Sequence, residues 1–155
     1  MYLAMKLVHI LATVVFLGNI LTAVFWKLRG DRSRDPAVIR HTLEGVIQAD
    51  RVFTMPGSAV LAIAGFGAAG IGRYPIMETG WILWSIVLYV ISAVLYMAFV
   101  SPAQKRMLRA ISSDAGGSVA WDRYESESRK WNLWGTLSTL AIVAAAVLMV
   151  LKPQP

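Results

Sequence analysis

The sequence predicts an all-α membrane protein: four transmembrane helices forming one antiparallel bundle, residues 1–155, as a single domain. Three observations carry that prediction. Hydrophobic residues make up 57% of the chain and charged ones only 15%, too apolar a balance for a soluble domain of this size. Four windows, Leu7 to Trp26, Val52 to Gly72, Trp81 to Val100 and Trp131 to Leu151, reach the roughly 20 apolar residues needed to cross ~30 Å of hydrocarbon, and none contains Asp, Glu, Lys or Arg. Of the 15 Lys and Arg, all but Lys6, Arg73 and Lys152 fall in the connections after the first and third windows. That asymmetry predicts cytoplasmic connections and both termini on the outer side of the membrane. The runs are apolar on every side, unlike barrel strands, which alternate over ~10 residues.

The first window is about twice the length of a signal-peptide apolar core, and no small-residue cleavage site precedes the charged segment, so it is expected to stay as a membrane helix. Asp35-Pro36 is a helix-start signal, and Val38, Leu43, Val46 and Ile47 follow near helical spacing. The second helix therefore begins before the membrane and runs from about Pro36 to Gly70, kinked at Pro56, which lacks a ladder donor. Its glycines and alanines let neighbouring backbones approach, which makes it the close-packed centre. Gly67→Leu is expected to disrupt the bundle and Ala145→Leu, on the aliphatic fourth helix, to be tolerated. After the third helix, Ser101-Pro102 restarts a basic amphipathic stretch to about Ile111; "SSDAGGS" breaks it and "VAWDRYESESRKW" leads into the fourth. Trp26, Trp81, Trp84, Trp131 and Trp134 fall at helix ends, the place of interfacial aromatic belts.

Few places are left for chemistry. There is no cysteine, which excludes disulfides and thiolate sites. No Ser-His-Asp set, Gly-rich phosphate loop or intramembrane acidic pair can be placed. The net charge of +6 is distributed as topology requires and calls for no nucleic-acid partner. His9 remains, the one histidine within a span, facing either a functional cavity or a neighbouring helix as hydrogen-bonding glue. His41 lies past the boundary at Trp26, itself ~26 Å from His9, so the two cannot share a haem. Matching helix depths places Gly67 and Gly70 of the second helix, Leu83 and Trp84 of the third and Met149 of the fourth opposite His9, a slot that suits a flat macrocycle. Asn19, near mid-membrane, must find an interhelical partner.

The stretch Lys6-Leu-Val-His9 followed by Gly18, with Arg51-Val-Phe-Thr-Met-Pro56-Gly57 opening the second helix, resembles an uncharacterised bacterial integral-membrane family of unknown function. That family is similar in turn to HemJ-type protoporphyrinogen oxidases and CopD-type copper-resistance membrane domains, over most of the chain. The resemblance implies haem b held through a first-helix histidine, matching His9, with an important lysine nearby that corresponds to Lys6 or Lys27. The Leu-Pro-Arg segment and further histidine of the HemJ pattern are missing, Ala23 to Arg29 standing there, which puts porphyrinogen oxidation in doubt and leaves haem binding as what the resemblance implies.

Three function classes stay open. The first is a haem-b redox protein with His9 as proximal ligand, Met149 as second ligand, Lys6 or Arg73 near the propionates, and Gly67, Gly70, Trp84 and Asn19 around the group. The second is copper handling by Met5 and His9, one turn apart, thioether and imidazole suiting Cu(I). The third is a non-catalytic scaffold subunit. The expected partners are the lipid bilayer and either further copies of the chain or the other subunits of a membrane complex.

Overall fold

The computed structural model describes residues 1–112 and 119–153. Among them every regular element is helical: α1 (Tyr2–Ser33), α2 (Pro36–Ala49), a π turn (Asp50–Thr54), α3 (Met55–Ile71), α4 (Gly80–Leu95), a second π turn (Tyr96–Val100), α5 (Ser101–Ile111) and α6 (Trp121–Leu151). Four continuous runs, Tyr2–Ser33, Pro36–Ile71, Gly80–Ile111 and Trp121–Leu151, are long and apolar enough to cross a membrane. Each exceeds the ~30 Å of hydrocarbon at 1.5 Å per residue, so each carries a polar extension beyond its apolar window.

Local chemistry sets the breaks. Arg34 ends α1 in the left-handed conformation, φ 53°, with its N–H on the Asp31 carbonyl. One residue on, the Asp35 carboxylate accepts from the Ala37 N–H at 2.8 Å and Pro36 fills the first helical position, as the sequence predicts. Pro56 and Pro102 do not stop their helices. Each follows a five-residue π turn, in which Met55 N–H bonds to the Asp50 carbonyl and Ser101 N–H to that of Tyr96. One extra residue per turn carries the chain past a ring that would clash with the carbonyl four residues back. Of the predicted break "SSDAGGS", residues 113–118 lie outside the described residues.

The chain packs as two compact units, Met1–Pro75 and Ile76–Pro155. In the first, α2 and α3 return along α1, so that contacts descend on one side as they ascend on the other: Thr42 meets Gly30, Gly57 meets Phe16 and Gly67 meets Met5. In the second, α4 and α5 pack on α6. Ser138 Oγ donates to the Ser92 carbonyl at 3.0 Å, which leaves the Ser92 hydroxyl to donate to Ser138 Oγ at 3.0 Å. Ser85 Oγ, bonded to Trp81 O at 2.6 Å, also lies 3.1 Å from the carbonyl of Ala145. Such short polar hooks hold helices together where lipid gives no hydrophobic drive. Outside the apolar window, Glu127 accepts from Arg106 at 2.7 Å and Lys130 at 2.8 Å. Burial alone would raise its pKa, but the hydrogen bonds and positive charges of Lys130 and Arg106 prevail and hold it below the ordinary carboxylate value.

Two expectations are corrected in the second unit. Trp131 is buried rather than in a headgroup belt. Ala145 is buried in the α4–α6 contact, where a larger side chain has no room. Ala145→Leu should therefore destabilise the protein by about 1–3 kcal/mol through overpacking, while Val147→Leu, on the exposed face, should be neutral. Unfolding midpoints of the two purified variants in one detergent check this; equal midpoints would contradict the packing.

Candidate functional site

One face of α1 carries the chemistry. At 100° per residue, His9 and Lys27 are five turns apart and point the same way, with Asn19 about 80° round and Ala12, Ala23 and Gly30 between them. Small residues between polar ones let the returning helices come close enough to answer each polar group.

His9 is answered by α3. Its Nδ1 lies 2.8 Å from the Leu61 carbonyl oxygen. A carbonyl only accepts, so Nδ1 carries the proton, and Nε2 is the ring atom left with a lone pair. The imidazole can reach the Leu61 oxygen because position 65 has no side chain: a Cβ there would stand 2.9 Å from both Nδ1 and Cε1 of His9. Thr13 Oγ1 donates to the His9 carbonyl at 2.8 Å, an ordinary one-turn bond within α1.

Asn19 is answered by the π turn. Its Nδ2 donates to Thr54 Oγ1 at 2.8 Å and approaches Asp50 Oδ1 at 3.4 Å, while Thr54 Oγ1 donates to the same Asp50 oxygen at 2.7 Å. Asp50 and Thr54 are both buried. Since Asn19 stands ~10 Å inside Trp26, this carboxylate lies within the depth of the first apolar window, although the sequence placed the second window from Val52. Lys27 is the largest fully buried side chain of the protein among the described residues, 1% exposed, with its Nζ 2.6 Å from Asp31 Oδ2. Intramembrane and boundary ionisable groups held this way are functional candidates by default.

The residues expected around His9 are distributed differently. Gly67 faces Met5, whose Sδ lies 3.3 Å from where a Cβ would stand, and Gly70 has open space beside it. Lys6 is exposed, so of the two lysines Lys27 is the one built into the fold. Arg73 is exposed after α3. His41 is exposed on α2. Trp84, 61% exposed, and the half-buried Met149 belong to the second unit. Among the described residues no three His, Asp or Glu side chains are grouped to hold a metal ion.

The polar face of α1 is thus answered at His9 from α3, at Asn19 from the π turn and at Lys27 from α1 itself. A family model described as a predicted integral membrane protein (DUF2269) matches residues 3–153. The chain belongs to the DUF2269 family. It is thus a multi-pass integral membrane protein in contact with the lipid bilayer. No curated protein and no solved structure matches it.

Sequence reasoning found His9 and Asn19 of this DUF2269 chain but missed Leu61, Gly65, Asp50, Thr54 and the burial of Lys27. The spacing of Asp50 and Thr54, one turn apart beside a proline, was the available signal. Because Gly65 is filled by the imidazole and Gly70 by nothing, Gly65→Ala should displace His9 and lose about 1 kcal/mol, whereas Gly70→Ala should be neutral or gain up to about 1 kcal/mol. Unfolding of both variants in detergent measures the difference, and a Gly65→Ala protein as stable as Gly70→Ala would refute the contact.

Proposed function

We propose that this protein binds haem b, with His9 Nε2 as an axial ligand, and serves a redox role as a four-helix antiparallel bundle of the bacterial inner membrane with both termini outside. The observation that carries the reading is the His9 hydrogen bond: Nδ1 is committed to the Leu61 carbonyl, and Nε2 keeps its lone pair for a ligand. This arrangement, ring N–H on a backbone carbonyl, orients metal-ligating histidines and raises their basicity. The resemblance to HemJ-type proteins, stated on the first-helix histidine, supports it further. The basic residues of the connections after α1 and α4–α5 support the orientation. Gly18 and Gly70, with open space beside them, support close packing of a further helix, from another copy or another subunit.

The residues fit the group in one way and limit it in another. His9 supplies an iron ligand of the right tautomer. Between α1 and α3, however, Phe16 covers Gly57, His9 covers Gly65 and Met5 covers Gly67, so no macrocycle enters that contact and the group must meet Nε2 on the face turned away from it. Gly65 gives the imidazole its seat, Leu61 fixes its proton, and the α3 backbone keeps water from that edge of the ring. Haem supplies one-electron chemistry when bound. Met5 sits one turn from His9, but its sulfur packs toward Gly67, which favours iron at Nε2 over copper shared between the two.

Protein purified from haem-replete cells should give a b-type spectrum, oxidised and dithionite-reduced, with haem quantified as the pyridine haemochrome. His9→Ala should abolish or strongly shift the Soret band and His41→Ala should leave it unchanged. A colourless, folded protein after haem supplementation would overturn the reading and leave His9 as interhelical glue; stoichiometric copper lost on changing Met5 or His9 would replace haem with copper handling.

A further inference from the structure

At the far end of α1 from His9 is an open groove of about 620 Å³ lined by Phe25, Leu28, Arg29, Arg32, Ser33 and Val38. Its two ends differ in chemistry. Phe25 and Leu28 flank Trp26, the aromatic boundary of the first apolar window, and Phe25 packs edge to face on that indole at 5.4 Å. Val38 reaches the same groove from α2. Arg29 and Arg32 lie one turn apart on one side of α1, ~4.5 and ~9 Å beyond Trp26, the level of lipid phosphates.

The charges of this corner are uneven. Asp31 is bonded to Lys27 at 2.6 Å, Asp35 caps α2 through the Ala37 N–H, and Glu44 holds Arg40 at 3.0 Å. Among the described residues neither Arg29 nor Arg32 has a carboxylate partner or any other polar contact. Two guanidinium groups with ten N–H donors between them therefore face a groove whose remaining wall is apolar except for Ser33. Guanidinium pairs with phosphate in bidentate fashion, and an ammonium-bearing zwitterionic headgroup would bring a third cation into the corner.

We propose that this groove is a binding site for an anionic phospholipid of the phosphatidylglycerol type. The phosphate lies between Arg29 and Arg32, and one acyl chain lies over Phe25 and Leu28 toward the membrane. The site belongs to the first unit alone and is independent of any cofactor at His9. A loop that is basic only for topology would need neither the apolar floor nor two unpaired arginines on one side of one helix.

The test uses the full-length protein in detergent, with added dioleoyl phosphatidylglycerol or dioleoyl phosphatidylcholine, read by native mass spectrometry and by the unfolding midpoint. Phosphatidylglycerol should bind and raise the midpoint; phosphatidylcholine at equal mole fraction should do so less. Arg29→Gln with Arg32→Gln should weaken phosphatidylglycerol binding about tenfold or more, while the charge-matched pair Lys105→Gln with Arg109→Gln should not. Arg29→Lys with Arg32→Lys, which keeps charge and removes the bidentate fork, should fall between and controls for folding. Equal loss in both glutamine pairs would show diffuse surface charge and overturn the site. So would the absence of any lipid preference, or full competition by soluble glycerol phosphate, which has the headgroup chemistry without chains.

Discussion

Inside hydrocarbon an unpartnered polar group costs several kcal/mol, so every polar side chain that the sequence places there dictates what must stand opposite it. Three such groups on one face of α1, His9, Asn19 and Lys27, organise the first unit. His9 requires an acceptor and finds the Leu61 carbonyl; Asn19 requires acceptors and finds Thr54 and Asp50; Lys27 requires a counter-charge and finds Asp31. Three of these partners, Leu61, Thr54 and Asp50, come from the returning chain, and together they fix its register against α1 more sharply than apolar packing does. A slip of one residue would separate the imidazole and the amide from these partners at once.

The two prolines serve this arrangement. In an uninterrupted α-helix, Pro56 would leave a clash and a lost bond within the membrane. The π turn before it absorbs the extra residue and places Asp50 and Thr54 on the side that meets Asn19. The second unit repeats the device at Tyr96–Val100 before Pro102, where Phe99 stacks on Trp134 at 4.2 Å in place of a polar cluster. One backbone solution thus supports a hydrogen-bonded centre in one unit and an aromatic one in the other. Single-turn π segments inside α-helices commonly mark functional positions, and the polar one lies on the same α1 face as His9.

Much of the fold was legible in the sequence, because membrane length, basic-residue placement and helix-start chemistry are local signals. The four spans, the start at Asp35-Pro36, the long second run and the basic stretch ending at Ile111 all follow from them. The site was legible only in part. Matching apolar boundaries set Trp26 against Val52 and so put Gly67 and Gly70 beside His9, whereas the contacts bring Leu61 and Gly65, a slide of about five residues or ~7 Å. Hydropathy could not show this, since the second helix carries Asp50 into the span and an aspartate reads as a boundary until its partners are known. Lys27 escaped for the same reason: a cation just past a tryptophan looks like a topology signal, and only packing reveals it as buried. Ala145 and Trp131 were misjudged because helix faces cannot be assigned where all sides are apolar.

The central claim is that a backbone carbonyl on α3 fixes the His9 proton on Nδ1 and leaves Nε2 as the free ligand atom. Solid-state nitrogen NMR of histidine-labelled protein in lipid bilayers, purified without haem supplementation and compared with His41→Ala to assign the signals, reads that directly. The account predicts His9 with a protonated Nδ1 and an unprotonated Nε2. The opposite tautomer, with the proton on Nε2 and Nδ1 bare, would contradict it, because a bare nitrogen cannot bond to the Leu61 oxygen.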